Sequence, residues 1–287
     1  MKVDWGFTMF KALFWRINFF FKNRKSAKIN RQLGERVQSV IVETQNGIFA
    51  VDPRDLEVGY KLRNHGSYGL DEIARINELI TSESNVLVVG AHIGSLVIPI
   101  ARTCNKVVAV EANPNNFNLL QTNVLLNKSE NISIHNIAAS SKQENIQFQM
   151  NVVNSGGSKR LPKNNEYMYR YDNPEVIEVQ AHSLDEYLDE EHFDLVLIDI
   201  EGSEYFAMQG MEKILSKCNV LIVEFLPHHL KNVADVSVEQ FLSLIPKHFT
   251  KLTIPSKNET HPVDIGGALL KQMYNDKEGD DGIIFLK

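Results

Sequence analysis

Val86-Leu87-Val88-Val89-Gly90-Ala91-His92-Ile93-Gly94 is the stretch on which the reading of this chain turns. Four apolar residues read as a buried strand, Gly90 ends it, and residues 95–103 read as a helix. The same unit recurs downstream. Strand 106–110 precedes helix 115–126, and strands 132–136 and 146–150 flank a turn. Strand 193–200 precedes helix 204–215, strand 220–225 precedes helix 238–245, and strands 249–254 and 282–286 close the chain. Such alternation predicts a doubly wound α/β domain: a seven-stranded, mostly parallel sheet with helices on both faces. The last two strands lack a convincing helix between them, so one of them is expected to be antiparallel. Segments 151–175, 226–236 and 255–281 read as loops. The first is long and rich in Asn, Gly, Lys and Tyr, which suits a lid or binding role.

Toward the N-terminus, residues 71–81 carry Ile73, Ile76, Leu79 and Ile80 at helical spacing. Residues 37–44 and 48–51 read as strands joined at Asn46-Gly47, a hairpin signal because both residues accept positive φ. Residues 5–21 hold both tryptophans and a run of phenylalanines, broken by Lys11 and Arg16 and followed by Lys22, Arg24 and Lys25. A spanning helix needs about 20 apolar residues with few charges, and this stretch fails that test. Nor does it carry the small-residue cleavage site of a secretory signal. Two readings stay open: an amphipathic helix making peripheral contact with a membrane surface or partner through residues 5–25, or a helix packed on the domain's own core. The expected organisation is a helical extension over 1–36 and one domain over 37–287. Within that domain, 37–84 supplies the hairpin and a helix and 85–287 the Rossmann-like core.

The formal charge of −6 offers no basic face for a duplex, so nucleic acid is not expected among the partners. Two cysteines, Cys104 and Cys218, exclude a dense disulfide framework and sit in no metal-ligand spacing, so no metal is expected. Both suit small buried residues in a reducing compartment, which points to the cytoplasm, with membrane association at its inner face left open.

In an open α/β sheet, ligands gather beyond the carboxyl ends of the strands. A dinucleotide loop would need glycines where this chain has His92 and Ser95, which counts against a nicotinamide-dependent oxidoreductase. Gly90, Ala91, His92 and Gly94 instead fit a tight turn with room for a nucleoside and an amino-acid tail. Glu111 follows about 20 residues later, where such folds set an acid against the ribose hydroxyls. Ala112 and Asn113 continue that strand end, and Ala138 and Ala139 offer small residues against which an adenine could lie. Asp199, Glu201 and Glu204 place three carboxylates within six residues at a buried strand end, a costly arrangement without use. Asp199 could hold the donor's amino end or a substrate hydroxyl. Glu224 and His228 follow the next strand and could face the same crevice.

Taken together, these motifs resemble the FkbM-like family of S-adenosylmethionine-dependent methyltransferases. The likeness spans about residues 37–230. It rests on the Gly90–Gly94 loop, on Glu111 with Asn113-Pro114, and on Ile198-Asp199-Ile200-Glu201-Gly202-Ser203-Glu204 with Gly210. Asn123, Asn127, Ser155-Gly156-Gly157-Ser158, Ser183-Leu184-Asp185 and Glu224 support it. The resemblance implies a class I methyltransferase fold, S-adenosylmethionine as donor, and methyl transfer to a hydroxyl of a sugar, glycan or related small-molecule acceptor. Two positions depart from the family: Val88 stands where an Asp is usual, and His92 where an Asn is usual. They leave room for a donor-binding scaffold of low activity. As general base, Asp199 and His228 are favoured by position, followed by Glu201 and Glu204.

Overall fold

The computed structural model describes residues 5–287 except 165 and 191, with side chains from Phe14 onward. After an N-terminal helix, Trp5–Leu33, β1 (Val40–Thr44) and β2 (Gly47–Val51) form the expected hairpin. Then come β3 (Asn85–Val89), β4 (Lys106–Val110), β5 (Ile132–His135), β6 (Ala138–Ala139) and β7 (Glu144–Met150). β8 (Lys159–Arg160), β9 (Glu175–His182), β10 (Leu195–Ile198) and β11 (Val220–Phe225) follow. β12 (Lys251–Ile254), β13 (Glu259–Pro262) and β14 (Asp280–Leu286) end the chain.

The main sheet has the order β13-β12-β14-β11-β10-β3-β4-β5. β5, β4, β3, β10 and β11 are parallel, while β14 lies antiparallel between β11 and β12. The doubly wound α/β class is as read from the sequence, and of the last two strands read there it is the final one that is antiparallel to β11. Along β3, alternate residues serve opposite faces: Leu87 and Val89 join one apolar cluster, Val86 and Val88 the other. A strand covered on both sides has no polar face to show. The chain runs outward from β3 to β5 and then returns to the other side of β3 at β10. That reversal opens a crevice beyond the carboxyl ends of β3 and β10.

Several sequence readings need correction. The sheet gains an eighth strand, β13, at its edge. Residues 255–281 are not a loop but carry β13 and the helix Val263–Asp276. Gly266 and Gly267 disguised that helix. A Cβ at Gly266 would lie 2.6 Å from Leu252 Cδ2, so the glycine lets the helix press onto β12. Segment 151–175 carries β8 and two short 3₁₀ turns, and β9 follows it. β7 pairs with β8 and β9 in a separate four-stranded sheet with β6. The helix expected over 204–215 is two, Glu204–Gln209 and Glu212–Lys217, parted at Gly210. Segment 226–236 is largely helical.

The hairpin is held by side chains acting as a strand would. Asn123, buried on the Pro114–Leu126 helix, accepts from Ala50 N (2.6 Å) and donates to Ala50 O (3.2 Å). Asn127 does the same with Ile48, at 3.1 and 2.7 Å. Two amides thus satisfy an edge that would otherwise be open. The N-terminal helix docks on the body: Phe19 stacks on Tyr171 with centroids 4.2 Å apart, and Ser26 Oγ donates to Arg54 O at 2.8 Å. No helix among the described residues is long and apolar enough to cross a membrane.

Candidate functional site

β3 ends on Gly90, with φ +97°. A Cβ there would overlap the carbonyl oxygen of Asp199 at the end of β10, so only glycine lets the two strand ends meet. Gly90 N and Ala91 N both donate to Val110 O, at 2.9 and 3.0 Å, folding the loop back onto β4. His92 N is left facing Glu111, and donates to its Oε2 at 2.8 Å. Asn113 N donates to Oε1 at 2.8 Å. Burial pushes the Glu111 carboxyl up to about 7 even against those two donors.

The crevice is a cleft of ≈ 280 Å³. Of the residues singled out from sequence, Gly90, Ala91, His92, Glu111, Ala112, Ala138, Ala139, Asp199 and Glu201 line it. Gly94 shapes the turn behind the lining. Asn113 caps the Pro114–Leu126 helix, its side chain accepting from Asn115 N and donating to Ser158 Oγ (3.0 Å). Ile137, Ile146 and Phe148 give one wall an apolar surface.

Two sequence candidates for catalysis lie elsewhere. Glu204 turns back into its own loop: its Oε1 accepts from Ile200 N (3.0 Å) and Gly202 N (3.1 Å), and it is absent from the lining. Its carboxyl is pushed up to about 7 by burial. His228 sits outside the lining, stacked on Tyr169 at 6.5 Å between centroids. Its neighbour His229 points inward instead. A helical turn starting at Pro227 separates adjacent side chains by about 100°, which buries His229 while His228 stays half-buried. The sequence pair His228-His229 does not say which of the two is buried.

His229 is buried in a polar chain. Lys159 Nζ donates to Glu201 Oε2 (2.9 Å) and lies 3.2 Å from His229 Nε2, while His229 Nδ1 stands 3.5 Å from Glu224 Oε2. Burial, then the adjacent Lys159, hold His229 well below the ordinary imidazole range, so it stays neutral and its Nε2 accepts a hydrogen bond from Lys159 Nζ. Glu201, Glu224 and His229 have the donor chemistry of a cation site, and the Lys159 side chain reaches two of them, Glu201 and His229. The carboxyls of Asp199 and Glu224 both lie well above the usual range, through burial first and then repulsion among the neighbouring carboxylates.

Sequence reasoning also missed Glu72 and Tyr68, lining residues on the segment before β3, and the pairing of Ser155 with Asp55. His92 Nε2 lies 2.7 Å from Ser155 Oγ, which donates to Asp55 Oδ2 at 2.5 Å. The serine has one proton, so the imidazole donates to it. His92 therefore clamps the Ser155-Gly156-Gly157-Ser158 segment to the glycine loop. Only the three-dimensional path of the chain brings Asp55 within reach of Ser155, 100 residues later.

Comparison with known proteins adds the following. The family described as the methyltransferase FkbM domain matches residues 89–249. No curated protein matches the chain. Among solved structures, the chain is similar to the methyltransferase FkbM of Methylobacillus flagellatus (16% identity, 72% of this chain and 44% of that one, TM-score 0.42). It is similar also to M. jannaschii TYW2 in complex with AdoMet (15% identity, 66% and 63%, TM-score 0.39). A third is the M. jannaschii tRNA m1G37 methyltransferase (16% identity, 77% and 53%, TM-score 0.42). The chain spans less than two thirds of the length of each. The expectation that nucleic acid is no partner is withdrawn: net charge alone does not discriminate, and a tRNA m1G37 methyltransferase is among the similar structures. The family match covers more than half of the residues and takes in the glycine loop, Glu111 and the acidic strand ends, and on that match the chain belongs to the FkbM methyltransferase domain family.

Proposed function

We propose that the chain is an S-adenosylmethionine-dependent methyltransferase that O-methylates a hydroxyl of a sugar, glycan or related small-molecule acceptor. The observation that carries the reading is Glu111: a buried carboxylate, held by two backbone N–H groups beside a glycine turn, with lone pairs left for a vicinal diol. The residues present fit the donor. Ala138, Ala139, Ile146 and Phe148 suit an adenine face, and a cleft of ≈ 280 Å³ suits a nucleoside with a short tail. Val88 is buried in the core where the family carries an acid, so the donor's ammonium falls to Asp199 and Glu72. Both are lining carboxylates without a hydrogen bond or ion pair among the described residues, and burial pushes Glu72 up to about 7.

Bound donor supplies an electrophilic methyl group on a sulfonium. The protein then aligns the acceptor oxygen in line with that methyl and excludes water. With the donor bound, Asp199 would accept the hydroxyl proton as the methyl passes to the acceptor oxygen; burial and the neighbouring carboxylates raise its proton affinity well above that of an ordinary carboxylate. We place Glu201 beside it as a second acceptor of hydroxyl hydrogen bonds. The compartment we propose is the cytoplasm, at the inner face of a membrane, with residues 5–25 as the element in contact; side chains 5–13 lie outside the described residues.

Calorimetry with S-adenosylmethionine, followed by labelled-methyl transfer to a panel of hydroxylated acceptors, tests the reading. Asp199→Asn is expected to cut turnover by about 10²–10⁴-fold with the melting curve preserved. Near-normal turnover would remove Asp199 from the chemistry. Donor binding without transfer to any acceptor would favour the scaffold reading that Val88 allows.

A further inference from the structure

The N-terminal helix carries two opposite faces. Phe19, Lys22 and Ser26 face the body. Phe19 stacks on Tyr171, Lys22 pairs with Glu57, and Ser26 bonds Arg54. Residues 14, 17, 21, 24, 28 and 31 form a separate stripe at the 3-4 spacing of a helix surface. That stripe is Phe14, Ile17, Phe21, Arg24, Lys28 and Arg31, all exposed, and its composition changes along the axis: apolar first, cationic after. Phe14 is 66% exposed and Phe21 63%, with Phe20 beside them at 52%. A protein surface seldom leaves a contiguous patch of this kind without a partner.

Charge identifies the partner's chemistry. The helix holds seven cations and no carboxylate, in a chain whose net charge is −6. We infer that this stripe docks on an anionic lipid bilayer, with Phe14, Ile17 and Phe21 in the acyl boundary and Arg24, Lys28 and Arg31 among the phosphates. A duplex would take the cations and leave the aromatics wet, whereas a lipid interface satisfies both halves of the stripe at once. From Phe14 to Arg31 the helix rises about 25 Å, long enough for a slight tilt to bury its first half and keep its second at headgroup depth. The docked face fixes what this does for the cleft. Phe19 and Asn23 grip Tyr171, and Arg16 lies 5.4 Å over the Tyr167 ring, in the segment that also carries Tyr169 against Lys159. A bilayer under the outer face would therefore hold the segment that carries Tyr169, packed on Lys159 whose ammonium pairs with the lining residue Glu201, close to the lipid surface, which suits a lipid-linked hydroxylated acceptor. The inference rests on the membrane-side part of the reading above and not on its chemistry.

Flotation of the full chain with phosphatidylcholine vesicles, with and without phosphatidylglycerol, tests it. The wild type is expected to float with the anionic vesicles. The triple variant Phe14→Gln, Ile17→Gln, Phe21→Gln is expected to lose about tenfold or more of that binding. Arg24→Gln, Lys28→Gln, Arg31→Gln is expected to lose on the order of 100-fold on anionic vesicles. Glutamine keeps the helix, so circular dichroism and S-adenosylmethionine affinity should match wild type in both. That affinity is read separately, so a failed methyltransferase reading and a failed membrane reading look different. The proposal falls if wild type ignores anionic vesicles, or if the variants float equally well. It falls too if the aromatic variant instead turns a dimer into a monomer by light scattering, which would give the face to a second copy.

Discussion

On the proposed reading the cleft has a donor end, from Gly90 to Glu111, that is held by backbone N–H groups at the ends of adjacent strands. The end given to the acceptor on that reading, at Glu201 and Glu224 backed by Lys159 and His229, is held by side chains converging from separate segments. At the first end, Gly90 N and Ala91 N reach Val110 O, and His92 N and Asn113 N reach Glu111. At the second, Lys159 from β8 meets Glu201 after β10, and His229 after β11 meets Glu224. Backbone geometry of this kind follows from strand order alone, so any sequence that completes the sheet and keeps the glycine and the acid rebuilds the donor end. The second end depends instead on residue identities at scattered positions. On the proposed reading, that division keeps the donor fixed while the second substrate changes.

The sharpest break in this comparison would come at Glu111. Glu111→Ala should weaken S-adenosylmethionine binding tenfold or more by calorimetry, since hydrogen bonds to a charged acceptor are worth about 1.5–3 kcal/mol. The wild type adds a pH test of the same residue. Its carboxyl in the free protein lies at about 7 and the diol favours the ionised form, so donor affinity should fall as pH drops below about 7 and level off above it. The alanine variant should lose that slope. Unchanged affinity on substitution would detach the acid from the donor and leave the donor end undefined.

These two construction methods also explain what the sequence disclosed. β3, β4 and β11 fall where their apolar runs begin and end, because a strand buried on both faces advertises its whole length. Glu111 was readable because its distance from Gly90 is set by one helix and one strand. His229 was not, because the choice between it and His228 depends on where a short helical turn starts. Nor was the second sheet. β9 is largely exposed, with charged Glu175 and Glu178 among its residues, so it carries no apolar signal. The Val263–Asp276 helix was hidden by the very glycines that let it approach β12.

Glu204 joins the two halves, because its loop runs from Asp199, which touches Gly90, to Glu201, which meets Lys159. Its carboxyl stands at about 7 in the fold against an ordinary 4.5. With the folded value raised, the contribution of this group to stability is complete below about 4.5 and is lost as pH rises through about 7. Glu204→Gln keeps an oxygen for Ile200 N and Gly202 N without the charge. It should flatten that part of the pH dependence of melting and raise stability at pH 8 by on the order of 1–3 kcal/mol. Were the variant less stable at every pH, the carboxylate would be gripping its loop in a way an amide cannot.

The smallest effect expected is the most specific to the division between the two ends. His92 belongs to both: its backbone N–H bonds Glu111 on the donor side, and its ring bonds Ser155 on the acceptor side. Burial holds the imidazole down at about 4, so it is neutral across the working range and contributes no titration there. Its φ of +51° is left-handed, a region asparagine tolerates well, so His92→Asn should keep the backbone and the bond to Glu111. The shorter side chain cannot reach Ser155 Oγ. Donor affinity should then stay within about threefold of wild type, stability should fall by about 1 kcal/mol, and amide exchange over residues 154–158 should quicken. If donor affinity instead dropped as far as in Glu111→Ala, the clamp on the acceptor segment would be part of the donor site, and the two ends of the cleft would have to be treated as one.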